Sequence, residues 1–333
     1  VAQHEKVQAS LNAGRVADFL VDRLERIDDT STFYEQVQRL PPGHTLRYTP
    51  GGLEIRRYWG PRPDREQVLD SDEAYADAFE QLLQGVVQQG LDQPGVTALM
   101  LSGGLDSSVL AGIAARELRA LDRGPVHTFS GVSASDDGKN TVCPETRFSA
   151  LVAQDTGAEA RFFQPGAVGQ DLDTLNDCMA GHEDPFDYEW VLLQFLFLKA
   201  RESGFRYVID GVDGNLVAGL DFAYPAHLLR LGRPGRAVHE LSCRNRMFGG
   251  RVTALDVARL ARQALVPDSV RRLKVRRKVI PEARALVEQR FMSQELAESV
   301  NLPGRLFEYY SNKGIGFETS LRQQHIRTLQ SPV

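Results

Sequence analysis

The stretch Leu101-Ser102-Gly103-Gly104-Leu105-Asp106-Ser107-Ser108 leaves few folds open to this chain. It follows the apolar run Val96-Thr97-Ala98-Leu99-Met100 and leads into the helix-forming Val109-Leu110-Ala111-Gly112-Ile113-Ala114-Ala115. A strand, a glycine-rich turn and a helix start in that order suit a nucleotide phosphate. Glycines let backbone N–H groups come close, the hydroxyls of Ser102, Ser107 and Ser108 donate, and the helix N-terminus adds its dipole. Asp106 stands where a carboxylate could hold Mg²⁺ on leaving phosphates. The loop lacks the Lys-Ser/Thr ending of a Walker loop and the Gly-x-Gly-x-x-Gly of a dinucleotide fold, so neither a GTPase nor a dehydrogenase is indicated. A plain turn, with the glycines and serines serving only turn and cap, is the competing reading.

The surrounding pattern fits a covered parallel sheet. Strands are expected at 96–101, 126–130, 160–163 and 207–210, with helices at 107–121, 145–156 and 188–203 between them. An earlier helix is expected from Ser71 to Gln89, with one apolar stripe of Tyr75, Phe79, Leu82, Leu83, Val86 and Val87. Before it come helices at Arg15–Arg26 and Phe33–Val37, a break at Pro41-Pro42-Gly43-His44, and a hairpin of Thr45–Tyr48 with Leu53–Trp59. Beyond residue 225 the chain is helical and rich in Arg and Leu. The fold class is therefore α/β, a doubly wound parallel sheet with a helical C-terminal part.

With 333 residues, 42% hydrophobic and 25% charged, the chain has the makings of one large or two ordinary globular domains. A net charge of -5 and pI near 5.9 give no general footprint for nucleic acid. The local exception is 271–278, with six basic side chains in eight positions, read as a solvated helix face or as a surface for an acidic partner or peptide. Cys143, Cys178 and Cys243 have neither disulfide nor zinc spacing. No signal-like or membrane-spanning run is present, so a cytoplasmic location is expected, with neither membrane nor nucleic acid as partner.

The SGG-x-D-S-S core of 102–108 resembles the pyrophosphate loop of the ATP-pyrophosphatase superfamily, which includes asparagine synthetases, GMP synthetase, argininosuccinate synthetase and tRNA-thiolating enzymes. Two further segments narrow the resemblance. Thr32-Phe33-Tyr34-Glu35, Arg39-Leu40-Pro41-Pro42-Gly43-His44 and Tyr58-Trp59 resemble the stretch of asparagine synthetases that joins amidotransferase and synthetase domains. Residues 208–220, Val-Ile-Asp-Gly-Val-Asp-Gly-Asn-Leu-Val-Ala-Gly-Leu, resemble the second Gly-rich loop of that family. As the end of a parallel strand, this loop is expected to face the first one across a crevice.

The resemblance implies an ATP-pyrophosphatase-type sheet and a Mg²⁺-dependent ligase that adenylates a carboxylate and then forms an amide. It implies nucleotide contacts from Leu101 to Gly104, Asp106 to Ser108, Phe129, Ser130, Gly131, Asp210 and Gly211. For the metal it implies Asp106 with Asp213 or Asn215. Here Asn215 replaces the metal-binding Asp, Leu216 the following Glu, and Val212 a Glu used by asparagine-forming members. Asp184 and Asp187 fall where the family lines its substrate pocket, with helix capping as the competing reading. Lys313 is a stand-in for a transition-state Lys, or a surface lysine. Position 212 and the lack of an N-terminal Cys glutaminase lean toward relatives that close β-lactam or lasso-peptide macrolactam rings. The expected substrate is a small-molecule or peptide carboxylate, with a peptide precursor or partner protein as further partner. The expected division is a linker segment at 1–65, the α/β domain at 66–225 and a helical extension at 226–333. A catalytically incomplete fragment or nucleotide-binding scaffold is the alternative reading, and a tRNA-modifying enzyme a second.

Overall fold

Residues 98–101 set the layering of the sheet: Ala98 and Met100 belong to one buried cluster, Leu99 and Leu101 to another. Alternation along an extended strand sends neighbours to opposite faces, so apolar residues throughout require cover on both sides. The computed structural model describes residues 4, 7, 9–21, 24, 27, 30–60, 67–93, 97–132, 143–180, 188–212, 214, 223–247, 249–289 and 291–312. By its contacts the chain divides into two compact units, one of residues 67–217 and one combining 1–66 with 218–332.

In chain order the first elements are helix α1 (Ala13–Leu20) and the hairpin β1 (His44–Thr49) with β2 (Gly52–Arg57). The helix expected to Arg26 ends at Leu20, where Val21 leaves helical geometry. The helix expected at 33–37 is a turn. The buried Thr32 hydroxyl accepts from the Tyr34 amide at 3.1 Å and lies 2.7 Å from the Val37 carbonyl, while Ser31 bridges Gln38. Local side-chain bonds of this kind compete with helix formation. The hairpin forms as expected, with His44 opposite Arg57 and Thr49 opposite Gly52.

The second unit holds α2 (Asp72–Leu91), β3 (Thr97–Met100), α3 (Leu105–Ala120), β4 (His127–Gly131), α4 (Pro144–Thr156), β5 (Glu159–Phe163), α5 (Pro165–Val168), α6 (Leu172–Ala180), α7 (Tyr188–Glu202) and β6 (Tyr207–Ile209). The order β5-β4-β3-β6 is parallel throughout. Helices α2, α3 and α4 pack on the Leu99 face, and α6 and α7 on the Met100 face. The α/β class with a doubly covered parallel sheet is thus realised. The apolar stripe expected on α2 is in fact two. Leu83, Val87 and Leu91 pack inward, whereas Tyr75, Phe79, Leu82 and Val86 are exposed. At 100° per residue these sets occupy different sides of one helix.

The remaining helices are α8 (Ala223–Arg230), α9 (Pro234–Met247), α10 (Ala254–Leu265), α11 (Asp268–Glu288), α12 (Gln294–Ser299) and α13 (Leu302–Asn312). Ala226, Leu228, Ala237, Leu241 and Leu260 of α8 to α10 form one core. A second joins Ala17 of α1 with Val279, Ala283 and Leu286 of α11 and Leu302 and Leu306 of α13. Among the described residues no helix is long and apolar enough to cross a membrane.

Candidate functional site

Helix α3 begins directly beyond β3 and carries the conspicuous loop at its N-terminus. Gly104 is its N-cap, extended at φ -71° and ψ 165°, with no side chain capping the first turn. The amides that open a helix have no partner within it, so those of Leu105, Asp106 and Ser107 are available to an anion. The serines build the loop internally. Ser102 Oγ lies 3.0 Å from Ser107 Oγ, the Gly104 amide donates to Ser102 Oγ at 3.2 Å, and Ser107 and Ser108 hydroxyls donate to the Gly104 carbonyl at 3.2 and 2.7 Å.

Gly103 seats this loop on α4. Its φ of 82° is left-handed, and a Cβ there would overlap the Glu145 carbonyl and stand 2.7 Å from the Ser149 nitrogen. Only glycine meets both demands. On the other side stands the loop after β6. A Cβ at Gly211 would lie 2.9 Å from the Ser107 nitrogen, and one at Gly214 would run into the Asp106 carboxylate. The Asp210 carboxylate accepts from the Val212 amide at 3.0 Å and so shapes its own turn. The two loops expected to face each other do so within this unit, as a crevice at the carboxyl ends of parallel strands requires.

Between them lies a cavity of about 360 Å³. Ser102, Gly104, Asp106 and Ser107 line one end, together with Asp210 and Gly211. Met100, Phe129 and Gly131 line the other with Leu192, Leu193 and Leu196 of α7. Leu101, Glu145 and Val212 complete the wall. A volume in the small-molecule range, polar at one end and apolar at the other, can take a ligand with an anionic group and a flat apolar body. Asp106 and Asp210 put carboxylates beside the anion end, where a divalent cation shared with the ligand could sit. Among the described residues no group of three or more His, Cys, Asp or Glu could hold a metal ion unaided.

Nine of the residues expected here line the cavity: Leu101, Ser102, Gly104, Asp106 and Ser107, then Phe129, Gly131, Asp210 and Gly211. Gly103 instead backs onto α4, Ser108 bonds within its helix turn, and Ser130 is 1% exposed with its hydroxyl donating to the Leu101 carbonyl at 2.6 Å. Asp184, Asp187, Asp213, Asn215 and Lys313 lie outside the described residues. Sequence reasoning did not anticipate Leu192, Leu193 and Leu196, since an apolar helix facing a cavity has the same pattern as one facing a core. Glu145 opens the first turn of α4, and that acidic helix start was its only signal. Cys143 and Cys243 are free thiols.

The fold and this strand–loop–helix define an α/β protein with an anion-ready crevice at the carboxyl ends of its strands. The family model for asparagine synthase matches residues 78–326, most of the chain, and the chain belongs to that family. It is 28% identical over 130 residues to asparagine synthetase (glutamine-hydrolyzing) 3 of Bacillus subtilis (strain 168). That match covers 39% of this chain and 21% of the relative, so it spans about a fifth of the relative's length. Among solved structures the chain is similar to the NH3-dependent NAD synthetase from Campylobacter jejuni in complex with the nitrate ion. The identity is 12% and the TM-score 0.28, over 70% of this chain and 95% of that one.

Proposed function

We propose that this chain is an ATP-dependent amide ligase that adenylates a carboxylate and transfers the acyl group to an amine. The observation that carries the reading is the close approach of the two loops, Gly214 to the Asp106 carboxylate and Gly211 to the Ser107 nitrogen. That approach unites free helix-start amides, a hydroxyl pair and a carboxylate at one end of a nucleotide-sized cavity. In the reaction a carboxylate oxygen bonds to the α-phosphorus of ATP while the bond to the bridging oxygen breaks and pyrophosphate leaves. The amine nitrogen then bonds to the acyl carbon, AMP leaves with the former carboxylate oxygen, and the amine gives up a proton.

The residues of the chain act by position and charge. Amides of Leu105, Asp106 and Ser107 bind the anionic leaving group as charge builds on it. Met100, Leu193 and Leu196 enclose the base, and the packed cavity aligns carboxylate and phosphorus. The donor set suits Mg²⁺, which takes one or two carboxylates and completes its shell with phosphate oxygens and water. Asp106 would hold it, with Asp213 or Asn215, and when bound it neutralises phosphate charge. Val212 makes the wall apolar where asparagine-forming relatives carry a carboxylate. This supports an amine that belongs to a larger molecule, as in closure of a lactam or peptide macrolactam. Lys313 as the transition-state cation, Asp184 and Asp187 as substrate contacts, the division at 65 and 225, and a cytoplasmic setting belong to the same reading.

The test is calorimetric titration of ATP with Mg²⁺ into the chain and into Asp106→Ala, followed by pyrophosphate release with peptide carboxylates added. The reading expects binding weakened about tenfold or more by Asp106→Ala and release that depends on the acyl substrate. No binding of ATP by the unaltered chain would overturn it, and binding without release would move it to a nucleotide-binding scaffold.

A further inference from the structure

The acidic character of the whole chain hides a division. From residue 223 on there are 20 Lys and Arg against 9 Asp and Glu, whereas residues 1–222 hold 19 against 35. Helix α11 concentrates the positive charge. Its inward side carries Val279, Ala283 and Leu286 in the core with α1 and α13. On the opposite side stand Leu273, Arg277, Ile280 and Arg284, at spacings of four, three and four, which is one face of a helix. Leu273 is 56% and Ile280 50% exposed, and the two arginines are exposed as well. Lys274 and Arg276 flank this stripe and are exposed.

Among the described residues no ion pair joins Lys274, Arg276, Arg277 or Arg284 to a carboxylate. Lys278, off to the side, has Glu282 at 3.8 Å and the Tyr310 ring at 4.0 Å. Glu282 itself accepts from Tyr310 Oη at 2.8 Å, so that carboxylate is already engaged. Glu288 is the carboxylate at the far end of the face, one turn beyond Arg284. Like charges three and four residues apart disfavour the isolated helix, so this spacing is not explained by the stability of α11. Nucleic acid would meet such charge with phosphates and stack bases on aromatic rings. The stripe offers aliphatic side chains between its cations.

We propose that this face of α11 docks an acidic amphipathic helix, a peptide segment that presents Leu or Ile between Glu or Asp residues. Aliphatic side chains of the partner pack on Leu273 and Ile280, and its carboxylates pair with Lys274, Arg277 and Arg284, as in helix-on-helix recognition with charged flanks. The inference does not rest on the ligase reading, because docking needs neither ATP nor turnover.

The experiment is fluorescence anisotropy of the full chain with a labelled helical Glu/Leu peptide of roughly fifteen residues, about four turns. The comparison probes are the same peptide with Ser for Leu and an oligouridine of similar length. The Glu/Leu peptide is expected to bind at least about tenfold more tightly than either. Arg277→Glu should weaken it about tenfold and favour a Lys/Leu peptide instead, and Ile280→Ser should weaken it several-fold with an unchanged melting curve. Equal binding of the Ser peptide, tighter binding of the oligouridine, no binding of any peptide, or indifference to both substitutions would each overturn the proposal.

Discussion

Gly214 stands against the carboxylate of Asp106, so close that a methyl group on 214 would occupy the space of that carboxylate. The acid that opens α3 is therefore held in place by the backbone of the loop after β6. Gly214→Ala must displace the Asp106 side chain, since the atoms that a Cβ on 214 would overlap are that carboxylate and its Cβ. We expect ATP affinity with Mg²⁺ to fall roughly tenfold, about 1.4 kcal/mol, measured by calorimetry. In the Asp106→Gly background the same change should cost almost nothing, because both the carboxylate and the Cβ that it displaces are gone. Additive losses would show that Gly214 acts elsewhere.

Gly131 at the end of β4 has a different neighbour. A Cβ there would stand 2.7 Å from a terminal methyl of Leu192, the mobile end of a side chain. Gly131→Ala therefore shifts Leu192, a residue of the cavity wall, rather than the sheet. The expected result is a several-fold rise in the KM for ATP with little change in kcat, since the loss is in ground-state binding as much as in the transition state. Leu192→Ala added to Gly131→Ala should recover most of the KM. Failure of that rescue would place the base away from this wall.

In the other unit, Asp18 of α1 is fully buried and its Oδ2 accepts from Arg305 Nη1 of α13 at 2.6 Å. Removing one partner of a buried pair takes a charge-assisted bond and a counter-charge away from the desolvated other. Arg305→Met keeps most of the side-chain stem and deletes the charge, and we expect it to lower unfolding stability by about 3 kcal/mol in urea titration. Arg305→Lys should recover only part, because an ammonium lacks the planar fork of donors. A loss below about 1 kcal/mol would mean that the pair contributes little beyond packing.

The sheet was legible because its strands and helices carry local signals. Apolar runs of four or five residues, Pro144 at the first turn of α4 and Gly157 in left-handed geometry at its end mark the boundaries within one or two residues. The phosphate-type loop was legible for the same reason, since its glycines and serines do their work within seven positions. The partnership of α1 with α13 was not, because the residues that make it are 287 positions apart and each helix is amphipathic on its own terms. The turn at 32–38 misled because Phe33 and Val37 have helical spacing, while the deciding atom is one hydroxyl on Thr32. The apolar end of the cavity stayed hidden because Leu192, Leu193 and Leu196 obey the pattern of a buried helix.

The start of α10 links stability to pH. Asp256 accepts from the Thr253 hydroxyl at 2.7 Å, the Thr253 amide at 2.9 Å and the Asn245 side chain at 3.2 Å, closing a capping box. The Thr253 hydroxyl first, then its amide, hold the Asp256 carboxyl below its ordinary value of 3.8. A carboxyl depressed in the folded state binds its proton less readily there than in the unfolded chain. Its contribution is therefore complete above the ordinary value and fades as pH falls through the lowered one. Thermal unfolding followed by circular dichroism should show the melting temperature of the parent dropping on acidification below about pH 4. Asp256→Asn should begin lower at neutral pH, because the amide replaces an ionised acceptor at a helix N-terminus, and should lose less on the acid limb. Parallel acid limbs for parent and variant would assign the acid sensitivity to other carboxylates.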